Sequence, residues 1–191
     1  MVEYARMRTE REDDGIEWRL ARAEDVEFPS GSVDVVASGN AFHRFDRPVV
    51  VANATRWLSA DGVIVVLWSN GPLARDEPWQ VELSRVRDEW LERSGAGERI
   101  PAGAERGEYT DEIVFRDAGF DRQVEHIMKV LHTWTVETIL GFLHATSFAS
   151  PAALQDQLDA FDTDVRDALL SVEPSGLFSQ DVTFGARFAR R

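Results

Sequence analysis

Apolar residues follow two rhythms along this chain, short unbroken runs and runs spaced by three or four, and the two alternate. The sharpest unbroken run is Val33, Val35, Val36 and Ala37. Its β-branched character predicts a strand over 32–37, buried on both faces of a parallel sheet. The run stops at Ser38, Gly39 and Asn40, small and polar residues that end a strand. Upstream, Val2, Tyr4, Ala5 and Met7 lie among charges at spacings one helix face can hold, which predicts a short helix over 1–12. Ile16, Trp18 and Leu20 alternate with Glu17, Arg19 and Ala21, predicting a strand over 15–22 with one face buried. A loop over 23–27 and a turn at Phe28-Pro29-Ser30-Gly31 then lead into the 32–37 strand.

After the polar cluster, Val49, Val50, Ala54, Trp57 and Leu58 predict a helix that starts near Asp46-Arg47-Pro48 and leaves through Ala60-Asp61-Gly62. A second apolar run over 63–68 completes a strand, helix, strand unit. Such a crossover is right-handed, so the two strands are expected to be parallel and adjacent. Beyond Ser69-Asn70-Gly71-Pro72, Trp79, Leu83, Val86, Trp90 and Leu91 predict a helix to about Arg93. The stretch 95–107 is glycine-rich and charged without strand-to-helix context, and reads as a mobile loop. Thr110 is placed to cap a helix through Ala118, with Gly119 as its C-terminal glycine. A strand over 120–132, helices over 135–143 and 152–170, and a closing strand marked by Val182, Phe184, Ala186 and Phe188 follow. The whole reads as one α/β domain over 1–191, with a helical lid or substrate-binding insert over 133–175 before the last strand.

Composition narrows the function classes. The chain has 191 residues, 43% of them hydrophobic and 29% charged, enough for one sizeable core. Its formal charge of -13 repels nucleic-acid phosphates, and Arg6, Arg8 and Arg11 are interleaved with acids as on a solvated helix face. A small-molecule partner is expected, with no nucleic acid and no membrane. The absence of cysteine rules out disulfides and thiolate chemistry and fits a reducing cytoplasm. No apolar run has membrane-spanning length and the N-terminal residues have no signal-peptide core, so a cytoplasmic location is expected. His126 and His132 share a strand face without further ligands nearby, so no metal site is expected. Ser38 follows a strand, but Val36 and Asn40 occupy the glycine positions of a nucleophile elbow.

The string AEDVEFPSGSVDVVASGNAFHRFDRP over 23–48, followed by RWLSADGVIVVLW over 56–68, resembles the class I S-adenosylmethionine-dependent methyltransferases. The similarity is to the type 11, trans-aconitate-methyltransferase-like branch. There a loop A-E-x-L-P precedes a strand S-x-D-x-V, an A-F-H-W-F cluster, a helix, and R-x-L-x-P-G-G-x-L before the next strand. Asp117-Ala118-Gly119-Phe120 and the closing Phe188-Ala189-Arg190-Arg191 are similar to later family features. The resemblance implies a Rossmann-like methyltransferase sheet, S-adenosyl-L-methionine as cofactor, and methyl transfer to a small-molecule acceptor. It would set Ala23 and Glu24 beside the adenine, Ser38, Gly39, Asn40 and Ala41 against the methionine part, and His43 at the methyl-transfer cavity as base. Trp68 and Asn70 would lie near the substrate, and Arg44, where this branch more often has Trp, would add a cation suited to a carboxylate.

The family's glycine-rich cofactor loop and the acidic residue ending its second strand have no counterpart in these residues. The expected sheet is therefore incomplete, lacking its first two strands, which would lie between the 15–22 and 32–37 strands. A missing strand forfeits ladder hydrogen bonds at about 1 kcal/mol net each, against a whole-domain stability of roughly 5–15 kcal/mol. The expectation is a fragment with Met1 internal to the second sheet helix, or a degenerate protein without activity on its own that acts with a partner chain completing the sheet. His43 keeps a second reading, a ring stacked between Phe42 and Phe45 as packing. Trp57, Trp79, Trp90 and Trp134 read as packing positions.

Overall fold

A computed structural model describes residues 15–94 and 110–191. The helix expected over 1–12 and the loop expected over 95–107 lie outside them. Four strands form one sheet in the order β1 (Val33–Gly39), β2 (Leu58–Ser69), β4 (Leu177–Arg190), β3 (Arg122–Thr135). Strands β1 and β2 are parallel neighbours, Val35 opposite Val63 and Ala37 opposite Val65, as the crossover rule requires. Strand β4 runs antiparallel between β2 and β3, so the last two strands form a hairpin around the helical insert. The mixed open sheet is the Rossmann-like α/β class expected.

Local chemistry sets the helix ends. Helix α1 (Arg47–Trp57) begins where the Asp46 side chain accepts from the Val49 N–H and Pro48 sits in the first turn. Helix α3 (Asp111–Asp117) is capped by Thr110, whose hydroxyl accepts from the Ile113 N–H, and Gly119 follows at φ +83. Buried Arg47 meets Asp111 at 2.8 Å, joining the first turns of α1 and α3. Helix α2 (Pro78–Ser94) matches the expected span. In the insert, Thr135 and Thr138 form a reciprocal cap for α4 (Val136–His144).

Two cores lie on opposite faces of the sheet. Phe178 of β4 joins a cluster of α2, α4 and α6 (Leu158–Val172) around Leu83, Ile139, Phe161 and Leu169. Ala189 of the same strand joins Ile64, Val66, Val51, Phe115 and Phe120 under α1 and α3. Odd and even residues of an unbroken strand point to opposite faces, so the two clusters are separate.

Several expectations need correction. Residues 15–22 form no strand, and Leu20 is 87% exposed. Alternation reports which side of a segment is apolar, but a strand also needs a neighbour, and 15–22 pairs with no strand among the described residues. Strand β1 is not buried on both faces: it is the edge of the sheet, and Val35 is 54% exposed. The exit turn at Ala60-Asp61-Gly62 lies inside β2, in a bulge between the pairs Val33–Leu58 and Val35–Val63. The helix expected over 152–170 is broken, α5 (Pro151–Leu154) giving way to a 3₁₀ turn over Gln155–Gln157 where Gln155 takes φ 50. Strand β3, expected over 120–132, starts at Arg122, after Phe120 has been buried under α3.

Candidate functional site

The carboxyl ends of parallel β1 and β2 lie side by side, the place where open α/β sheets bind ligands. Beneath them a cavity of about 430 Å³ runs between residues 17–28, the inner face of β1 and helix α1. Its walls are apolar, with Val36, Phe42, Phe45, Val51 and Ala54 among them. Glu17 and Arg19 also border it, as do Ser38 and Trp57, whose hydroxyl and indole N–H are buried in the wall without a hydrogen-bond partner among the described residues. Such volume and such walls suit a flat apolar group held by a few polar contacts.

Of the residues expected at the site, Ala23 and Ser38 line this cavity. Glu24 stands beside it on the 3₁₀ turn Ala23–Asp25, where its carboxylate accepts from the Asp46 N–H at 2.9 Å. Its backbone carbonyl accepts from Asn53 Nδ2. Glu24 thus ties the turn to the start of α1, where a negative charge is favoured by the helix dipole. That bond from Asp46, helped by Arg22 at 3.5 Å, holds the Glu24 carboxyl below the usual carboxylate range. A depressed pKa contributes stability that is complete above the ordinary value near 4.5 and is lost as pH falls through the lowered one. Wild type should therefore lose stability relative to Glu24→Gln as pH drops below 4.5, and acid titrations of both, followed by circular dichroism, check this. Parallel curves would rule it out.

Asn40 and Asn70 act as clamps between strand ends. Asn40, at φ 49, donates through Nδ2 to Ser69 Oγ and accepts at Oδ1 from the Ser69 N–H, closing β1 onto β2. Asn70 accepts at Oδ1 from the Thr183 N–H and closes β2 onto β4. A Cβ on Gly39 would meet nothing within 4 Å, so open space lies beside it at the strand end. Ala41 starts the 3₁₀ turn Phe42–Arg44, which holds His43 and Arg44 exposed. Phe42 and Phe45 meet each other edge to face at 6.2 Å, with His43 exposed on the turn between them in sequence. None of Gly39, Asn40, Ala41, His43, Arg44, Trp68 and Asn70 lines the cavity.

Trp68 lies partly exposed over Gly185, its cross-strand partner. A Cβ on Gly185 would fall 2.0 Å from the indole, so the ring occupies the space that a side chain would need. Gly185→Ala should displace Trp68 and cost about 1–3 kcal/mol, the range for overpacking. Urea unfolding together with near-ultraviolet circular dichroism checks it, and an unchanged spectrum and midpoint would contradict it.

Comparison with known proteins agrees with this geometry. Residues 1–66 match the profile of the methyltransferase domain family. A Dictyostelium discoideum protein provisionally named a methyltransferase is 40% identical over 58 residues, which is 30% of this chain and 22% of that protein. In structure, a type II methyltransferase so described from Anaeromyxobacter dehalogenans superposes with a TM-score of 0.53 at 23% identity, covering 93% of this chain and 72% of its own. Over residues 1–66 the chain is thus similar to the methyltransferase domain family, and its fold is similar to that of the Anaeromyxobacter protein. The matched segment holds β1, α1, most of β2 and all of the cavity lining.

The family's cofactor can be tested against these side chains. The apolar end near Ala23, Phe42 and Phe45 suits a flat ring such as a purine. The ribose and methionine ends find less: the Asn40 amide is used on Ser69, and the Glu24 carboxylate is used on Asp46. Sequence reasoning missed Trp57 as a cavity residue because its apolar spacing on α1 reads as core. Its unpartnered N–H is what sets it apart, and that is a three-dimensional signal. Among the described residues no cluster of three or more candidate metal ligands occurs, and no helix is long and apolar enough to cross a membrane.

Proposed function

We propose that this domain serves S-adenosyl-L-methionine-dependent methyl transfer to a small-molecule acceptor in the cytoplasm. One observation carries the reading: a mainly apolar cavity of about 430 Å³ lies under the strand ends, in the segment that matches the family profile. Ala23 and Glu24 would flank the adenine, while Ser38, Gly39, Asn40 and Ala41 would face the methionine part. When bound, the sulfonium supplies the methyl group and its leaving group, so the protein's task is alignment and proton removal. His43, exposed on the turn after β1, is the base proposed to take a proton from the acceptor. Arg44 beside it suits an acceptor with a carboxylate. Trp68 and Asn70 would border the acceptor, and the helical segment 133–175 would close over it.

Ligand-induced stabilisation tests the half-built site. A ligand that binds only the folded state raises Tm by mass action. Adenosine and S-adenosylhomocysteine should each raise the Tm of the chain, and free methionine should not. A shift with methionine and none with adenosine would overturn the assignment of the cavity to the adenine end.

A second reading has its own support. Among the described residues no strand pairs with the outer edge of β1, and Val35 is exposed, as would be the case in a sheet completed by another chain or by a second copy. In that reading the isolated chain is inactive and gains cofactor binding only with its partner. Light scattering separates the two: a monomer that binds S-adenosylhomocysteine excludes the need for a partner.

A further inference from the structure

We propose that the end of the β3–β4 hairpin is a binding site for an organic anion with an apolar body, separate from the cofactor cavity. Arg122 and Arg190 are directly opposite each other in the antiparallel register. Directly opposed residues hold their Cβ atoms about 5 Å apart, and like charges so placed repel. Neither guanidinium has an ion pair or side-chain hydrogen bond among the described residues, whereas Arg47, Arg56, Arg85 and Arg187 each hold a carboxylate. Two cations with nothing between them leave an electrostatic cost that a bound anion removes. A domain whose formal charge is -13 has carboxylates to spare, which makes the unrelieved pair the more telling.

The surroundings define the ligand. A cleft of about 400 Å³ is lined by both arginines together with Val124, His126 and Phe188. These five residues share one face of the sheet by strand alternation. Phe188 and His126 meet edge to face at 5.7 Å, and Val124 is exposed beside them. The floor is therefore apolar and aromatic, and the cations stand at one end. A carboxylate or phosphate monoester fits between the guanidiniums, which bind such groups through paired N–H donors, while its hydrocarbon or ring lies on Val124 and Phe188. Arg191 is not part of the site: it donates to the Thr55 carbonyl and lies over the Phe120 ring. Asp61, at an adjoining smaller cavity that both arginines also line, makes no ion pair with either and marks the edge of the site.

Calorimetric titration of the full chain with octanoate, octyl phosphate and 1-octanol tests the proposal. Octanoate or octyl phosphate should bind, whichever headgroup is preferred, and octanol should bind at least tenfold more weakly. Arg122→Gln and Arg190→Gln should each weaken the anion at least tenfold, and Arg116→Gln, on α3 and away from the cleft, should not. Equal binding of octanol, or anion binding unaffected by either cleft substitution, would overturn it. The apo proteins give a second readout. Relieving the cation pair should leave the Tm of Arg122→Gln equal to or above wild type, and a clear fall would assign the arginines to structure instead.

Discussion

Phe115→Ala is expected to destabilise the domain by about 3–5 kcal/mol, the range for removing a fully buried phenylalanine. Phe115 has no exposed surface and sits at the centre of the core under α1 and α3. Its ring stacks on Phe42 with centroids 5.5 Å apart and planes at 13°, and meets Phe120 at 6.3 Å. Through Phe42 it anchors the 3₁₀ turn that carries His43 and Arg44. Against a total stability of roughly 5–15 kcal/mol, such a loss takes a large share. Urea denaturation measures it, and a change below about 1 kcal/mol would show that the α3 core does not hold that turn in place.

Gln180→Leu is expected to be the next most damaging change, although it conserves volume. Gln180 is 2% exposed, accepting at Oε1 from Trp134 Nε1 at 2.9 Å and donating through Nε2 to the Gly71 carbonyl at 3.0 Å. Leucine leaves both partners without this bond, and an unsatisfied buried polar group costs about 1–3 kcal/mol. Gly71 is also pressed by the insert: a Cβ there would fall 2.7 Å from Phe142 Cζ. Gln180 and Phe142 thus hold from two sides the loop that follows β2 and carries Asn70. Gln180→Leu should lower the urea midpoint and alter the fluorescence of Trp134, and a variant as stable as wild type would show that the network is dispensable.

The β1–α1–β2 crossover was legible because three independent signals agree there: an unbroken β-branched run, the Asp46 and Pro48 helix start, and a second apolar run. The ends of α2 and α3 were legible for the same kind of reason, since spacing and caps are local. The strand over 15–22 was misread because alternation in Ile16, Trp18 and Leu20 carries no information about a neighbouring strand. The edge position of β1 was hidden likewise. The site was legible only in part. Composition and order pointed to the end of β1, but whether Asn40 and Asn70 face a ligand or tie strands together depends on residues 29 and 113 positions away. The arginine pair is similarly invisible along the chain, since Arg122 and Arg190 meet only through the hairpin register.

Calorimetric titration of the intact chain with S-adenosylhomocysteine tests the central claim, that the cavity beneath Ser38 is one wall of a methyltransferase cofactor site. The prediction is saturable one-to-one binding, weakened at least tenfold by Ala23→Trp, which would fill the adenine end. A well-folded chain that binds no S-adenosylhomocysteine, or binds it equally well with tryptophan at position 23, would contradict it.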